Sequence, residues 1–325
     1  MNHSRRRFLS LAFGATAMPM MATFARAQAY PSRPVHIVVG FAAGGTSDIG
    51  ARLVGQKLQE RLGQPFVIEN RPGAATNLAT ESVVHAVPDG YTLLMVGPSS
   101  TINATLYDKL SFVFLRDTAP VASVFQQPQI LLAHPSLSAQ TIPELIAYAK
   151  ANPGKITMAS AGTGSSGHLA GEMFKMMAGI NMLHVPYRGA GPALTDLLGG
   201  QVQTAVIGLA GSIEQVKNGK LRALAVTTAA RSEALPDVPT VSQFLPGFEA
   251  SDVIGICAAR NTPVEIINRL NREINAALAE PGMKSRFADL GGTALALSPA
   301  AYGKVLADET EKWGKVIRAA GIKAE

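Results

Sequence analysis

The sequence predicts an α/β fold of two lobes, each a mainly parallel sheet flanked by helices. An apolar strand, a Gly-rich loop and a helix open each half of the chain, near residues 41 and 160. Strands that alternate with helices are typical of parallel sheets covered by helices. At roughly 150 residues per domain, the 325 residues of the chain fit two domains preceded by an N-terminal leader.

The leader has the composition of an export signal. Ser4-Arg5-Arg6-Arg7-Phe8-Leu9 is a basic segment with twin arginines, and Ala25-Arg26-Ala27 fits the small-x-small rule for cleavage. The weakly apolar stretch between them contains Gly14 and Pro19, which makes it too interrupted for a membrane span. We therefore expect residues 1–27 to be a signal peptide of the twin-arginine (Tat) type, with an ordinary Sec signal as the alternative.

Charge and cysteine content exclude several classes of function. The chain has 29 basic and 23 acidic residues, and the leader contains four of the arginines and no acid. The mature chain therefore has 25 basic and 23 acidic residues. No basic tract remains that would indicate nucleic-acid binding. The single cysteine, Cys257, lies in an apolar run and predicts a core residue without a disulfide. The six histidines are scattered, so no metal site is predicted.

The first half of the chain reads as strand, helix, strand, helix, strand. The first strand, Val35–Phe41, is followed by a Gly-rich loop and by a helix that ends at Gly63. The remaining elements are a short strand at Phe66–Glu69, a helix at Thr76–Val87 and a buried strand at Tyr91–Val96. This order predicts the first parallel sheet.

The second half repeats this order after two separate strand-like runs, Val121–Phe125 and Gln129–Ala133. A capping box that begins at Thr141 opens a helix, and Ile156–Ser160 is a strand that leads into the second Gly-rich loop. The helix after that loop is expected to turn four apolar side chains inward, namely Leu169, Met173, Met176 and Met177.

The rest of the chain supplies further strands and a helical C-terminus. Strands are expected at Met182–Val185, Val202–Ile207, Leu221–Thr227, Ser251–Ala258 and briefly at Ala294–Leu297, and helices at Pro263–Leu278, Pro281–Leu290 and Pro299–Ala320. Because the last helices have few strands of their own, we expect them to return to the first lobe. Two crossovers then divide the chain into lobe one, residues 28–125 plus 252–325, and lobe two, residues 126–251.

Both Gly-rich loops are candidates for anion binding. A helix N-terminus presents unpaired N–H groups and a partial positive charge, and glycine lets a ligand approach the backbone closely. The loops at residues 43–48 and 161–168 both end at a helix start. The alternative is that they are structural turns only. Two such loops, each opening a lobe, favour anion binding.

The second loop also reads as a G-x-G-x-x-G motif, which raises the possibility of a dinucleotide site. That site requires an acid at the end of the next strand, about 20 residues on, to hold the ribose. The sequence there is Val185-Pro186-Tyr187-Arg188, without an acid, and neither loop has the G-K-[ST] ending of a P-loop. The sequence therefore disfavours both nucleotide sites, and no cofactor is predicted.

Two further side chains, His168 and Arg188, have more than one interpretation. His168 follows Ser165 by three residues, but no G-x-S-x-G elbow accompanies the pair, so His168 is read as a packing or hydrogen-bonding residue of the loop. Arg188 lies before another helix start and could contact a carboxylate or the other lobe, or could be a solvated arginine.

Several segments resemble one known family. These are Glu69-Asn70-Arg71-Pro72-Gly73-Ala74, Pro88-Asp89-Gly90-Tyr91-Thr92-Leu93, His184-Val185-Pro186-Tyr187-Arg188-Gly189 and Leu197-Leu198-Gly199-Gly200-Gln201-Val202. They are similar to the signature segments of the substrate-binding proteins of tripartite tricarboxylate transporters, the Bug family. The resemblance extends from Tyr30 to Gly321.

The resemblance implies a periplasmic, monomeric binding protein with a type II-like Venus-flytrap fold and no catalytic activity. It implies a small organic acid as ligand and the membrane permease subunits of a tripartite transporter as partners. The carboxylate would lie between the first Gly-rich loop and its counterpart in lobe two, partly through ordered waters. Alternatives are a ligand-sensing partner of a membrane receptor and an exported enzyme.

The candidate ligand-binding residues come from both lobes. In lobe one they are Phe41, Ala43, Gly44, Gly45, Thr46, Asp48 and Ser99. In lobe two they are Ser160, Gly162, Thr163, Gly164, Ser165, His168, Tyr187, Arg188 and Ile207.

One departure from the family pattern bears on the ligand class. Where many relatives read roughly Asp-Leu-Met-Phe-Asp-Asn, this chain has Gln203-Thr204-Ala205-Val206-Ile207-Gly208. Ile207 replaces an acid at the carboxyl end of a strand, and isoleucine would leave a buried ammonium unpaired. We expect a ligand without an amino group, either a di- or tricarboxylate or an aromatic or apolar monocarboxylate that uses the Ile207 surface. The alternative is that this strand end faces away from the cleft.

Overall fold

The computed structural model describes residues 30–324, so the expected signal peptide at residues 1–27 lies outside the described residues. Ten strands are β1 Val35–Val39, β2 Phe66–Asn70, β3 Thr92–Val96, β4 Thr118–Ala133, β5 Thr157–Ser160, β6 Leu183–Pro186, β7 Thr204–Gly208, β8 Arg222–Val226, β9 Ser251–Ala259 and β10 Thr293–Ala294.

Helices cover these strands. They are α1 Thr46–Leu62, α2 Asn77–Val84, α3 Pro98–Leu106, α4 Phe114–Asp117, α5 Ile142–Ala151, α6 Ser166–Ala178, α7 Ala190–Leu198, α8 Ile213–Lys217, α9 Val264–Ala279, α10 Pro281–Asp289 and α11 Pro299–Ala320. Among residues 30–324, no helix is long and apolar enough to cross a membrane.

The strands form two sheets with the same internal order. In lobe one the order is β2-β1-β3-β9-β4, with β10 at the edge, and in lobe two it is β6-β5-β7-β4-β8. The first three strands of each sheet are parallel, and the fourth is antiparallel to its neighbours. This repeated arrangement confirms the predicted two-lobed α/β fold. It also brings the carboxyl ends of the parallel strands in each lobe to one edge, where open α/β sheets bind ligands.

Strand β4 joins the two sheets. Its first part pairs with β9 as far as Pro128, opposite Ser251, and its second part pairs with β7 from Gln129 onward. Pro128 lacks a backbone N–H and lies where the ladder changes partners, which a proline tolerates. The two separate strand-like runs expected at residues 121–133 are therefore one strand of 16 residues. The lobe boundary predicted at residues 125 and 126 falls inside this strand, and its exact position stays a prediction.

The apolar cores follow the lobes, with one cluster reaching across them. Leu270, Ile274 and Phe287 of α9 and α10 pack in the core of lobe one. A second cluster joins Leu106 of α3 and Trp313 of α11 to lobe-two residues such as Leu169 and Phe174, so α11 touches both lobes. Cys257 is fully buried in a core, as predicted.

Helix α6 corrects one prediction about packing. Leu169 and Met173 are buried, but Met176 and Met177 are 47% and 40% exposed. Ala178 in the same last turn is buried, so Met176 and Met177 lie on the outward side of that turn. A helix that packs against a core buries only one side of its surface.

Candidate functional site

A cleft of about 410 Å³ lies between the lobes, where four helices begin. Helices α1 and α3 start there from lobe one, and α6 and α7 from lobe two. Six of the predicted site residues line the cleft: Phe41, Gly45, Thr46, Ser99, Ser165 and Ile207. The structure therefore brings the two Gly-rich loops to one cavity, while their contacts with a ligand stay a prediction.

The helix starts supply backbone donors to this cleft. The first N–H groups of an α-helix have no partner within the helix, and they carry a partial positive charge. Thr46 and Ser47 of α1 and Ser166 and Gly167 of α6 lie at such positions and line the cleft. The cleft can thus bind an anion through backbone amides and hydroxyl groups.

Asp48 fixes the shape of the loop in lobe one. Its carboxylate accepts hydrogen bonds from the Gly44 N–H at 2.9 Å, from Arg52 at 2.9 and 3.0 Å and from Asn70 Nδ2 at 3.0 Å. Asn70 Nδ2 also donates to the Phe41 carbonyl at 3.0 Å. Burial raises the pKa of Asp48, but the hydrogen bonds, those from Arg52 first, outweigh burial and lower it. Asp48 is buried outside the cleft lining and supports the loop.

Glycine is required at two positions of the G-x-G-x-x-G motif, for a different steric reason at each. Gly164 has a φ of +75°, a left-handed conformation that side chains rarely adopt. At Gly167 an added Cβ would lie 2.1 Å from the Val206 carbonyl oxygen, so only glycine lets α6 start this close to β7. The motif serves close packing of a helix on a strand.

A hydrogen-bond network beneath this loop uses five predicted residues. Ser165 is the N-cap of α6, and its Oγ accepts from the His168 N–H at 3.2 Å. His168 Nδ1 accepts from the Gly164 N–H at 3.0 Å. Ser160 Oγ contacts His184 Nε2 at 2.7 Å and accepts from the Gly162 N–H at 3.2 Å. The amides of Gly162 and Gly164 are therefore engaged inside the loop, and Ser160 and His168 act as its supports.

Two residues of the segment before α7 lie outside the cleft lining. Tyr187 donates its hydroxyl proton to Asp196 Oδ2 at 2.7 Å, and desolvation together with this hydrogen bond raises the pKa of Tyr187 to about 12. Arg188 is exposed. Gly189 and Ala190, which follow them at the start of α7, line the cleft instead. Ala43 and Thr163 also lie in the two loops without lining the cleft.

Ile207 lines the cleft but offers it little side-chain surface. The residue is 1% exposed and belongs to the lobe-two core, together with Ala193 and Leu197 of α7. The side chain thus packs within the core of lobe two. A direct apolar contact between Ile207 and a ligand is correspondingly small in this structure.

A polar cluster at the strand crossings completes the cleft and was missed in the sequence. Gln129 Nε2 donates to Asp252 Oδ2 at 2.7 Å, and Gln127 Nε2 donates to the same oxygen at 3.3 Å. Gln127 and Asp252 are opposed in the ladder of β4 and β9. The only signal in the sequence was the polar run Gln126-Gln127-Pro128-Gln129, which interrupts an apolar strand. Alternation along β4 places Gln127 and Gln129 on the same face.

Asp252 is the one charged side chain among the described residues that line the cleft. It is 7% exposed, and desolvation raises its pKa to about 6, against the lowering effect of hydrogen bonds from Gln127, Ser166 and Gln129. The negative charge of Glu309 raises the pKa further. Within residues 30–324 no group of three or more His, Cys, Asp or Glu side chains could hold a metal ion.

Comparisons with known proteins agree with this geometry. Residues 50–322 match the family model of the tripartite tricarboxylate transporter family receptor. Protein BugT of Bordetella pertussis is 36% identical over 300 residues, which cover 91% of this chain and 92% of BugT.

Two solved structures with bound carboxylates are also similar. Rpa4515 of R. palustris with adipate is 34% identical, has a TM-score of 0.81 and covers 90% of this chain and 99% of its own. MatC of Rhodopseudomonas palustris with bound malate is 31% identical, has a TM-score of 0.77 and covers 89% of this chain and 100% of its own.

Proposed function

The chain belongs to the tripartite tricarboxylate transporter receptor family, whose members are periplasmic solute-binding proteins, and we propose that it captures a small organic acid in the cleft between its lobes. The acid is then delivered to the membrane permease subunits of a tripartite transporter. The family and the fold are those of solute-binding receptors and not of enzymes.

One observation carries this proposal: four helix N-termini meet at a cleft whose described lining contains no Lys, Arg or His. Backbone amides with partial positive charge then become the main partners of an anion. A carboxylate fits such a site because each of its two oxygens accepts several hydrogen bonds, and bonds to a charged acceptor are about twice as strong as neutral ones. Water can bridge the donors that the ligand does not reach.

Capture by both lobes explains why the site is divided between them. Thr46 and Ser99 lie on lobe one, and Ser165 and Ser166 lie on lobe two. A ligand that contacts both groups binds the closed arrangement more tightly than an open one, and therefore shifts the population toward closure. A permease that recognises the closed form would then receive only loaded protein.

We further propose that the ligand lacks an amino group and is a di- or tricarboxylate or an aromatic or apolar monocarboxylate. The family pattern that this chain resembles has an acid at the position of Ile207, and isoleucine offers no partner for an ammonium group there. Rpa4515 and MatC, which are similar along most of the chain, were solved with adipate and malate, both amino-free dicarboxylates.

Native mass spectrometry of the protein as it is purified from its periplasm tests the capture of an acid. Calorimetric titration then compares succinate, citrate, adipate and benzoate with aspartate and glutamate. We expect at least one amino-free acid to bind more tightly than both amino acids. Tighter binding of aspartate or glutamate than of every amino-free acid contradicts the ligand class, and conversion of the ligand to a product on long incubation contradicts a purely binding role.

A separate experiment tests delivery of the acid to the permease. Purified permease in lipid nanodiscs is titrated with the receptor, with and without the acid identified above. We expect the acid to tighten the complex, because ligand and permease both favour the closed form. Equal affinity in both conditions would instead favour a role that does not depend on this permease.

A further inference from the structure

Asp252 lies at the floor of the cleft, immediately beside the start of α6. The Gln129 amide nitrogen donates to Asp252 Oδ2 at 2.7 Å and to Ser166 Oγ at 3.2 Å, so one amide group spans the carboxyl and the first residue of the helix. The other carboxyl oxygen, Oδ1, is buried and has no hydrogen-bond partner among the described residues. A carboxylate of the cleft thus neighbours the amides that would receive a ligand carboxylate.

We propose that Asp252 couples ligand capture to the uptake of one proton, so that the cleft takes a carboxylate only when the Asp252 carboxyl is neutral. This inference rests on the proposed function, because it assumes that an organic anion occupies the cleft. Asp252 then acts as a residue that determines which charge the cleft accepts.

The reason is the repulsion between two like charges in a site of low polarity. Two carboxylates that share a small buried volume do not both ionise, and one of them holds a proton. The described lining supplies no cationic side chain to offset a second negative charge. A proton taken from solvent onto Asp252 removes the repulsion and turns one carboxyl oxygen into a hydrogen-bond donor.

The groups packed around Asp252 do not neutralise it in another way. Strand β4 contributes the amides of Gln127 and Gln129, and α6 contributes the Ser166 hydroxyl. On α11 the charged neighbour is Glu309, which is itself paired with Lys312 at 2.5 Å.

The next titratable group along α6, His168, is held within its own loop by the Gly164 N–H and by stacking on His184. The Asp252 carboxyl is therefore surrounded by neutral donors and one further acid, and its pKa is already raised to about 6 before any ligand arrives.

The test is calorimetric titration of adipate, succinate and citrate from about pH 5.5 to about pH 8.5, in buffers of different ionisation enthalpy. We expect Kd to rise with pH above about 6, by up to tenfold per pH unit, and up to about one proton to be taken up per ligand bound. The acids are almost fully ionised at the upper end of this range, so their own titration does not supply the slope there.

Two variants assign the proton. Asp252→Asn keeps a neutral donor at the site. We therefore expect the Kd of this variant not to rise with pH, and we expect it to bind the acid at pH 8 at least as tightly as the wild-type protein. Glu309→Gln keeps Asp252 but removes a neighbouring charge, so we expect the rise in Kd to begin at lower pH. Thermal melts check the fold of both, and if Asp252→Asn does not fold, the shift in the pH at which Kd rises in Glu309→Gln is decisive.

Each result separates this inference from the proposed function. If no acid binds at any pH, the proposed function fails. Three other results overturn only the role of Asp252. They are binding of an acid without proton uptake, a rise of Kd with pH that persists in Asp252→Asn, and failure of folded Asp252→Asn to bind any acid at low pH.

Discussion

The imidazole rings of His168 and His184 stack with their centroids 3.7 Å apart and their planes 6° from parallel. His168 belongs to α6 and His184 to β6, so the stack ties the second Gly-rich loop to the neighbouring strand. His168 Nδ1 accepts the Gly164 N–H, so the same ring also contacts the backbone of the loop.

Substitutions at His168 separate its two contacts. His168→Phe keeps a ring for stacking but leaves the buried Gly164 N–H without an acceptor, which costs about 1–3 kcal/mol. His168→Asn keeps an acceptor near the Nδ1 position and loses the stack. We expect the Phe variant to be the less stable of the two in urea unfolding and to bind the acid more weakly. Equal stability of Phe variant and wild type would show that the Gly164 bond contributes nothing measurable.

Asp48 makes the stability of lobe one depend on pH. Its pKa is lowered in the folded protein, so its contribution is present above the ordinary Asp value of 3.8 and is lost as pH falls through the lowered value. Asp48→Asn removes the charge, and we expect it to lower the free energy of unfolding at pH 7 by about 1–3 kcal/mol and to flatten the fall below pH 4. Urea unfolding at several pH values measures both.

Glu60 provides the matched control for Asp48, because it lies on the same helix and forms an exposed ion pair with Lys57. Glu60→Gln should leave the unfolding free energy at pH 7 nearly unchanged, since exposed pairs contribute little. A loss as large as that of Asp48→Asn would mean that any charge change on α1 has this effect.

Ser165 has a capping role and a place in the cleft, and Ser298 has only the first. Each is an N-cap whose Oγ accepts an N–H three residues on at 3.2 Å. Ser165→Ala and Ser298→Ala should both cost about 0.5–2 kcal/mol of stability. We expect only Ser165→Ala to weaken acid binding, by about 1–3 kcal/mol. Equal affinity of the two variants would remove Ser165 from the site.

Gly167 allows α6 to start against β7. In Gly167→Ala the new methyl group would lie 2.1 Å from the Val206 carbonyl oxygen, so the helix start must move. We expect a loss of about 1–3 kcal/mol of stability and weaker acid binding. Gly191→Ala in the first turn of α7 is the control, because nothing lies within 4 Å of its added methyl group, and it should be neutral in both thermal melts and calorimetry.

The leader predicts the route of export. Changing Arg5 and Arg6 together to Lys should retain the precursor in the cytoplasm if the segment is a Tat signal. Arg7→Lys preserves the twin pair and should export normally. Fractionation followed by immunoblotting measures both, and normal export of the double variant would indicate the Sec route.

Local sequence signals were sufficient to predict the two Gly-rich loops and the helices near them. Gly63 ends α1 in a left-handed conformation, and Thr141 caps α5, as the sequence predicts. The strands before both Gly-rich loops were also found, because short apolar runs bounded by glycine carry their own signal.

Contacts between distant segments were not predictable in this way. Gln129 and Asp252 are 123 positions apart, and they meet only because β9 inserts between β3 and β4. No periodicity within either segment reports that insertion. The hydrogen bond from Asn70 to Asp48 also joins separate segments, 22 positions apart, and no pattern in the sequence indicated it.

The position of β9 has a consequence for the order of folding. This strand lies in the middle of the first sheet, yet it is made only after residues 118–250 have been synthesised. Lobe two is nearly continuous in the chain and can assemble early, whereas β3 and β4 lack the strand that joins them until Ala259 has left the ribosome. An unfinished chain therefore exposes two strand edges that the finished protein pairs, and chaperones would have to protect them until synthesis ends.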